Sequence, residues 1–379
     1  MVVCDYFRNL TDQMRVIHSG IQSEPAIGVL RQLEGEAKAS QQLGIGWYSL
    51  LYTGKSMPSP ANERSLVSSD NRLVFRLAYY RWLYKKSRDF DVILLRYSYY
   101  DPLQLLFVLL CGRTVYSVHH TLEVPELSIG KSLSARIKTV VERLLGPLTL
   151  SCVDGIIAVA QEMLDYELER RLIKRPIPHK VYTNGVDYYN RTDLAASNVR
   201  EHQNPAEMAV PEILFISSAF PPWQGLEELI TAAGTYTGDF VCHIVGELTE
   251  QQSQMMSTDS RFIAHGLQGK EYINKLIAKS DVGLSALTVY KKNLKSVPAL
   301  KVREYLMEGL AVYAGHGDVL PDSFAYYKNG PVDITEIVSF AIENRNNDRV
   351  AVSEMARPYI EKELLVMDLH TYLRENWAA

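Results

Sequence analysis

The chain has 379 residues, 47% of them hydrophobic, and a formal net charge of −4 at neutral pH. That length predicts two to three domains with enough apolar material for two full cores. The acidic balance, with a pI near 6.2, argues against a nucleic-acid-binding protein, which needs concentrated positive charge. Cys4, Cys111, Cys152 and Cys242 stand far apart with no CxxC spacing and read as reduced thiols of a cytoplasmic protein. No basic region followed by an apolar core opens the chain, so secretion is not indicated.

Residues 1–13 read as an N-terminal extension. A strand is expected from Met14 to Gly20, then a loop ending at Gly28, then a helix carrying Leu30, Leu33, Ala37 and Leu43 on one side. Alternation continues with a strand at Trp47–Tyr52, a polar loop over 53–71, a helix over 72–88 and a strand at Asp91–Tyr97. Pro102–Leu110 is the most apolar run, about half the length needed to cross a bilayer, and reads as a buried helix. A strand at Thr114–Val118, a helix over 132–148, a strand at Gly155–Val159, a helix from Gln161 and the segment Val181–Asp187 complete an N-terminal domain over 14–190.

Residues 191–210 lose periodicity and gain Asn, Glu, Gln and Pro, the marks of a linker. A second α/β series fills 211–360: strands at Glu212–Ser218, Phe240–Gly246 and Arg261–His265, with helices at 225–234 and 269–279. Ser280–Leu287 reads as a strand, Pro298–Gly309 as a helix and Leu310–Gly315 as the next strand, a βαβ unit. A final helix from Glu361 to Trp377, within 361–379, is expected to cross back to the N-terminal domain. Two open parallel sheets in tandem predict a ligand cleft between them, at the carboxyl ends of their strands.

Chemistry gathers at those carboxyl ends. Lys301 and Glu304 lie three residues apart on one helix face, where an ammonium suits a diphosphate and a carboxylate suits a ribose diol. A solvated surface pair is the plain alternative. Pro298 starts the helix, and the Ala299 and Leu300 N–H groups could add anion donors. Gly28 could let backbone approach a ligand, or could simply make a turn. His119 and His120 follow a strand and could donate to a sugar hydroxyl or support charge as a bond breaks. Arg96, Tyr97 and Tyr99 follow another strand and could line an acceptor site. Asp89 and Asp91 imitate a metal-binding Asp-x-Asp, but they precede their strand, so no metal is expected.

Four segments resemble the retaining GT-B glycosyltransferases, family 4 in particular: Asn184-Gly-Val-Asp187, Phe215–Ile230, His243-Ile-Val-Gly246 with Phe262–Leu284, and Pro298–Gly309. The resemblance spans roughly 14–315. It implies two Rossmann-like domains, a nucleotide-diphosphate sugar on the C-terminal side and an acceptor on the N-terminal side. It also implies transfer with retention and without a metal or bound cofactor. Lys301 would face the phosphates and Glu304 the ribose, while His119 looks like the family's histidine near the reacting centre. Two departures stand out. Ser296 replaces a second glutamate eight residues before Glu304, and Ser218 and Gln224 occupy the stretch where relatives offer an arginine and a lysine. Trp223-Gln-Gly225 is similar to a variant of exopolysaccharide-type members, which keeps Gln224 and Gly225 near the donor. Lys291, Lys292 and Lys295 are reserve cations, or a solvated basic loop.

Relatives of this kind often act on lipid-linked saccharides at the inner membrane face. Tyr79–Arg88, and Arg136–Leu150 with its Arg136, Lys138 and Arg143, combine basic and apolar residues suited to an anionic interface, with amphipathic packing as the competing reading. A sugar-nucleotide 2-epimerase of the same fold and a catalytically silent nucleotide-sugar binder are the alternative functions.

Overall fold

A computed structural model describes residues 14–24, 26–54, 62–64, 70–130, 132–188 and 210–377. The expected extension 1–13 and all of the linker except Val210 fall outside these. The chain forms two compact units, one comprising 1–185 with 362–379 and the other 186–361.

In the first unit, β1 (Val16–Gln22) leads into α1 (Ile27–Leu43), β2 (Trp47–Thr53) and the short β3 (Asn62–Arg64). Then follow α2 (Arg72–Lys86), β4 (Val92–Arg96), α3 (Pro102–Leu110), β5 (Thr114–His119), α4 (Glu123–Ile129) and α5 (Leu133–Cys152). β6 (Gly155–Ala158), α6 (Gln161–Arg170), β7 (His179–Val181) and the C-terminal α13 (Lys362–Trp377) complete it. Helix starts follow the local chemistry. Asn71, Asp101 and Ser132 each cap a first turn through a side-chain oxygen, and Pro102 opens α3 where no N–H is needed.

The second unit runs β8 (Glu212–Ala219), α7 (Leu226–Ala233), β9 (Val241–Glu247), α8 (Glu250–Met256), β10 (Phe262–Gly266), α9 (Lys270–Lys279) and β11 (Val282–Leu284). It continues with α10 (Leu300–Met307), β12 (Ala311–Ala314), β13 (Tyr327–Asn329), α11 (Ile334–Asn344) and α12 (Arg349–Ile360). α4, α8, the three-residue β3, and β13, α11 and α12 were not anticipated. β3 lies in the stretch read as a polar loop, and α8 opens on a Thr249–Gln252 capping box.

Both sheets are parallel and doubly wound. The orders are β3-β2-β1-β4-β5-β6-β7 and β10-β9-β8-β11-β12-β13. Each therefore reverses direction beside its first strand, between β1 and β4 and between β8 and β11, where ligands bind in such sheets. Both faces of the sheets are covered, so strand residues are buried in either orientation: Ile213 and Phe215 join one core of the second unit and Leu214 the other. α13 packs on α1, with Val366, Leu369 and Leu373 in the core under β1 and β2.

Pro102–Leu110 is the clearest departure from expectation. Its helix is not buried: Gln104 and Phe107 face inward while Leu106, Leu109 and Leu110 are 50%, 61% and 61% exposed.

Candidate functional site

In the second unit the loop after β8 and the loop after β11 meet at the reversal point. The Leu287 N–H donates to the Gln224 carbonyl at 2.9 Å, and the Thr288 hydroxyl donates to the Pro222 carbonyl at 2.7 Å. Gly225 has φ +82°, and a Cβ there would come within 2.9 Å of the Leu287 Cβ, so only glycine fits the crossing. The Leu287 and Thr288 side chains packed against it thus explain the glycine beside the site.

α10 presents Lys301 and Glu304 to the same edge. Lys301 Nζ donates to Gln224 Oε1 at 3.0 Å and lies 5.3 Å from the Phe215 ring centre. Burial pulls its ammonium down to about 7, against the opposing pull of Glu304. Ser218 is exposed at the end of β8. The expected pair of N–H donors is reduced to one, because the Ala299 N–H donates to the Val297 carbonyl at 2.8 Å. Leu300 opens the first helical turn, where an N–H has no intrahelical acceptor. Pro298 is buried ahead of that turn.

The stretch around the replaced glutamate is tied down. Ser296 bridges to Gly317, and the Val297 N–H donates to the Gly317 carbonyl. Of the reserve cations, Lys291 pairs with Glu228 and Lys292 sits 5.0 Å over the Trp223 ring. These contacts tie both lysines to the loop and helix after β8.

Two residues that sequence reasoning passed over support this edge. Arg303, fully buried, makes a bidentate ion pair with Asp318, tying α10 to the loop after β12. His316 bonds Ser285 Oγ at 3.0 Å and is joined by the Tyr327 hydroxyl. The signal was the polar run directly after the last expected strand, Gly315-His-Gly-Asp318.

In the first unit the two adjacent histidines part company. Alternation along β5 turns His119 and Ser117 into the helical layer, where His119 is 0% exposed. Its Nδ1 meets Glu123 Oε1 and its Nε2 meets Ser117 Oγ, both at 2.8 Å, so neither ring nitrogen points to a substrate. Burial lowers its pKa. Arg170 completes this buried cluster by bonding Glu123, Glu167 and Glu142. Burial pushes Glu123 up to about 7 and Glu167 well above its ordinary range. Among the described residues His119, Glu123 and Glu167 also form the one group whose ligand atoms lie within 4.8 Å of one another, as a cation would require. Arg170 supplies positive charge at that place.

Tyr97 belongs to the same cluster. Its hydroxyl donates to Glu142 at 2.8 Å and its ring stacks on His119 at 4.6 Å, so it turns inward and away from the acceptor role expected for it. Tyr99 is half-buried beside Tyr100.

His120, one residue on, is partly exposed and accepts from Arg96 Nη1 at 2.7 Å. Burial, then the neighbouring Arg96 charge, hold it well below the ordinary histidine range, so it is a neutral imidazole. Arg96 lies over Gly20 at the β1/β4 reversal, where a Cβ would come within 2.9 Å of the Arg96 Cδ. Beside them His18 bonds Glu36 at 2.8 Å and leaves Nε2 buried without a partner. Gly28 lies in the first turn of α1. Asp91 accepts from the Arg15 N–H at the opposite, amino edge of the sheet, away from these groups.

No family model matches the sequence, and no curated protein matches it either. Solved structures do. Anabaena Alr3699/HepE in complex with UDP matches with a TM-score of 0.66 at 15% identity, covering 96% of this chain and 100% of that one. Sucrose-phosphate synthase from Thermosynechococcus elongatus gives 0.63 at 15%, covering 96% and 99%. The lipopolysaccharide outer core galactosyltransferase WaaB gives 0.62 at 11%, covering 96% and 99%. The fold is therefore that of the GT-B glycosyltransferases, two Rossmann-like doubly wound units.

Proposed function

We propose that the protein is a retaining glycosyltransferase moving a hexosyl group from a nucleotide-diphosphate donor, UDP- or GDP-linked, to a saccharide hydroxyl in surface polysaccharide or glycoconjugate synthesis. The observation that carries this reading is the gathering of Lys301, Glu304 and Gln224 at the reversal point of the second sheet, from segments 77 residues apart. In this reading Glu304 accepts from the ribose hydroxyls. Lys301 and the Leu300 N–H face the diphosphate, supplying electrostatic stabilisation of the leaving group without a metal. The HepE structures are complexes with UDP and with UDP-glucose, which favours a uridine donor here.

Arg96 and His120 are the acceptor-side groups of this reading, with Tyr99, beside Tyr100, as a further candidate. The neutral His120 accepts from Arg96 at Nε2, which leaves its Nδ1 proton to donate to a sugar oxygen. In a retaining transfer the acceptor oxygen attacks the anomeric carbon from the face the diphosphate leaves. The acceptor proton passes to the departing phosphate.

Calorimetric titration with UDP, then release of UDP from UDP-glucose with and without saccharide acceptors in the presence of a chelator, tests this. Acceptor-dependent UDP release that Glu304→Ala abolishes is expected. UDP binding unchanged in both Glu304→Ala and Lys301→Ala would refute the site. Conversion of the donor without acceptor would mark an epimerase, and binding with no turnover a silent binder.

A further inference from the structure

The reversal of the first sheet, between β1 and β4, carries more positive charge than its own side chains neutralise. Arg96 lies across Gly20 on one face of β1, and His18, two residues earlier in that strand, shares the face. His120 meets Arg96 from the end of β5. Lys362, at the start of α13, is near enough for its charge to act on both Glu36 and His120.

In this corner two cations, Arg96 and Lys362, face one carboxylate, Glu36. That carboxylate is already engaged by His18 at 2.8 Å, the Ser49 hydroxyl at 2.7 Å and the Tyr182 hydroxyl at 2.9 Å. It acts on Arg96 only from a distance. Among the described residues Arg96 forms no ion pair, and its side chain bonds the neutral imidazole of His120 alone. Burial lowers its guanidinium to about 10, with Glu36 the opposing pull. Arg170 and Arg303, by contrast, are matched, the first by Glu123, Glu142 and Glu167 and the second by Asp318.

An arginine drawn out of water without a carboxylate is costly to keep, and such groups collect where a ligand supplies the missing charge. Hydrogen bonding in the corner is incomplete as well. The Nδ1 proton of His120 has no acceptor among the described residues, and His18 Nε2 is buried without a partner. A guanidinium fork fits the paired oxygens of a carboxylate or phosphate, whereas a neutral hydroxyl would leave its charge unanswered.

We propose that the acceptor is an anionic saccharide, a sugar bearing a carboxylate or a phosphate, with Arg96 binding that oxyanion while the adjoining His120 N–H holds an oxygen of the same sugar. The proposal rests on the transferase reading in calling this ligand the acceptor. The oxyanion site itself is built from the first unit alone. The donor diphosphate is the other oxyanion of the reaction, and the experiment separates the two.

The melting temperature of the full-length protein, with and without saturating UDP, is followed through titrations of glucuronate, inorganic phosphate and neutral methyl glucoside. Both anions are expected to raise it saturably even with UDP bound, and methyl glucoside is not. Arg96→Gln should weaken both anions roughly tenfold or more, and Arg96→Lys should recover part of that loss, keeping the charge without the fork. Arg96→Gln should melt no lower than the wild type before any anion is added, because it removes a charge that has no partner. Anion effects that are absent, that persist unchanged in Arg96→Gln, or that vanish once UDP is bound would each overturn the proposal. So would a loss of UDP affinity in Arg96→Gln as large as the loss for the anions, since the oxyanion would then be the donor's. Anions that act through Arg96 in a protein that does not bind UDP would count against the transferase reading alone and leave the oxyanion site standing.

Discussion

The two sheets end in similar rows of loops but handle charge in opposite ways. In the first unit the end of β5 feeds a closed network: His119, Glu123, Glu142, Glu167 and Arg170 satisfy one another out of solvent. In the second unit Lys301 rests against the neutral amide of Gln224, with an ammonium that burial has brought down to about 7. A saturated charge cluster holds a fold together, whereas an ammonium already weakened by burial gains from an anionic ligand. The same contrast recurs within two residues of the first unit, since His119 is enclosed while His120 and Arg96 remain partly open.

The largest test of that contrast is Arg170→Met. It would strand buried carboxylates, and a loss of about 3–5 kcal/mol in unfolding stability is expected from urea titration. A loss under about 1 kcal/mol would show that the network is not what organises the first unit.

Glu36 gives a pH-dependent version. Burial alone would raise its carboxyl, but His18, Lys362 and Ser49 bring it from an ordinary 4.5 down to about 2. The folded state thus prefers the ionised form, so its contribution is present above about 4.5 and is lost as pH falls through about 2. Glu36→Gln should cost about 3 kcal/mol at neutral pH, and thermal unfolding should show the difference shrinking on acidification. A deficit that stays constant down to about pH 2 would contradict the assignment.

In the second unit, Lys301→Met should leave stability nearly unchanged and lower turnover roughly 100-fold. Because the Lys301 pKa is lowered, the free protein loses that charge as pH rises through about 7. UDP affinity in the wild type should therefore weaken several-fold across that range, measured by calorimetry, and stay flat in the variant.

The smallest expected effects separate the histidines. His120→Ala should lower kcat about tenfold or more with an unchanged melting temperature. His119→Ala should lower the melting temperature first. The reverse pattern would exchange their roles.

Most of the architecture was legible along the chain because alternating strands and helices carry it locally. α3 was located residue for residue, and the placing of Lys301 and Glu304 on one helix face was read from their spacing within a βαβ setting. Burial was harder to read. The apolar content of Pro102–Leu110 pointed inward, but a nine-residue helix on a sheet face can bury only one side. Tyr97 and His119 read as site residues because they follow strands, yet pleat direction at that point turned both toward Arg170. His316 and Arg303 were missed because their partners, Ser285 and Asp318, lie 31 and 15 residues away.

By itself the sequence determined the parallel, doubly wound class of both units and the positions of the loops at their carboxyl edges. It did so because hydrophobic period and turn chemistry are properties of short segments. Only the tertiary structure decided which charges at those edges are spent on one another and which leucines stay open to solvent. Ion pairing and exposure depend on what distant segments bring within a few ångströms.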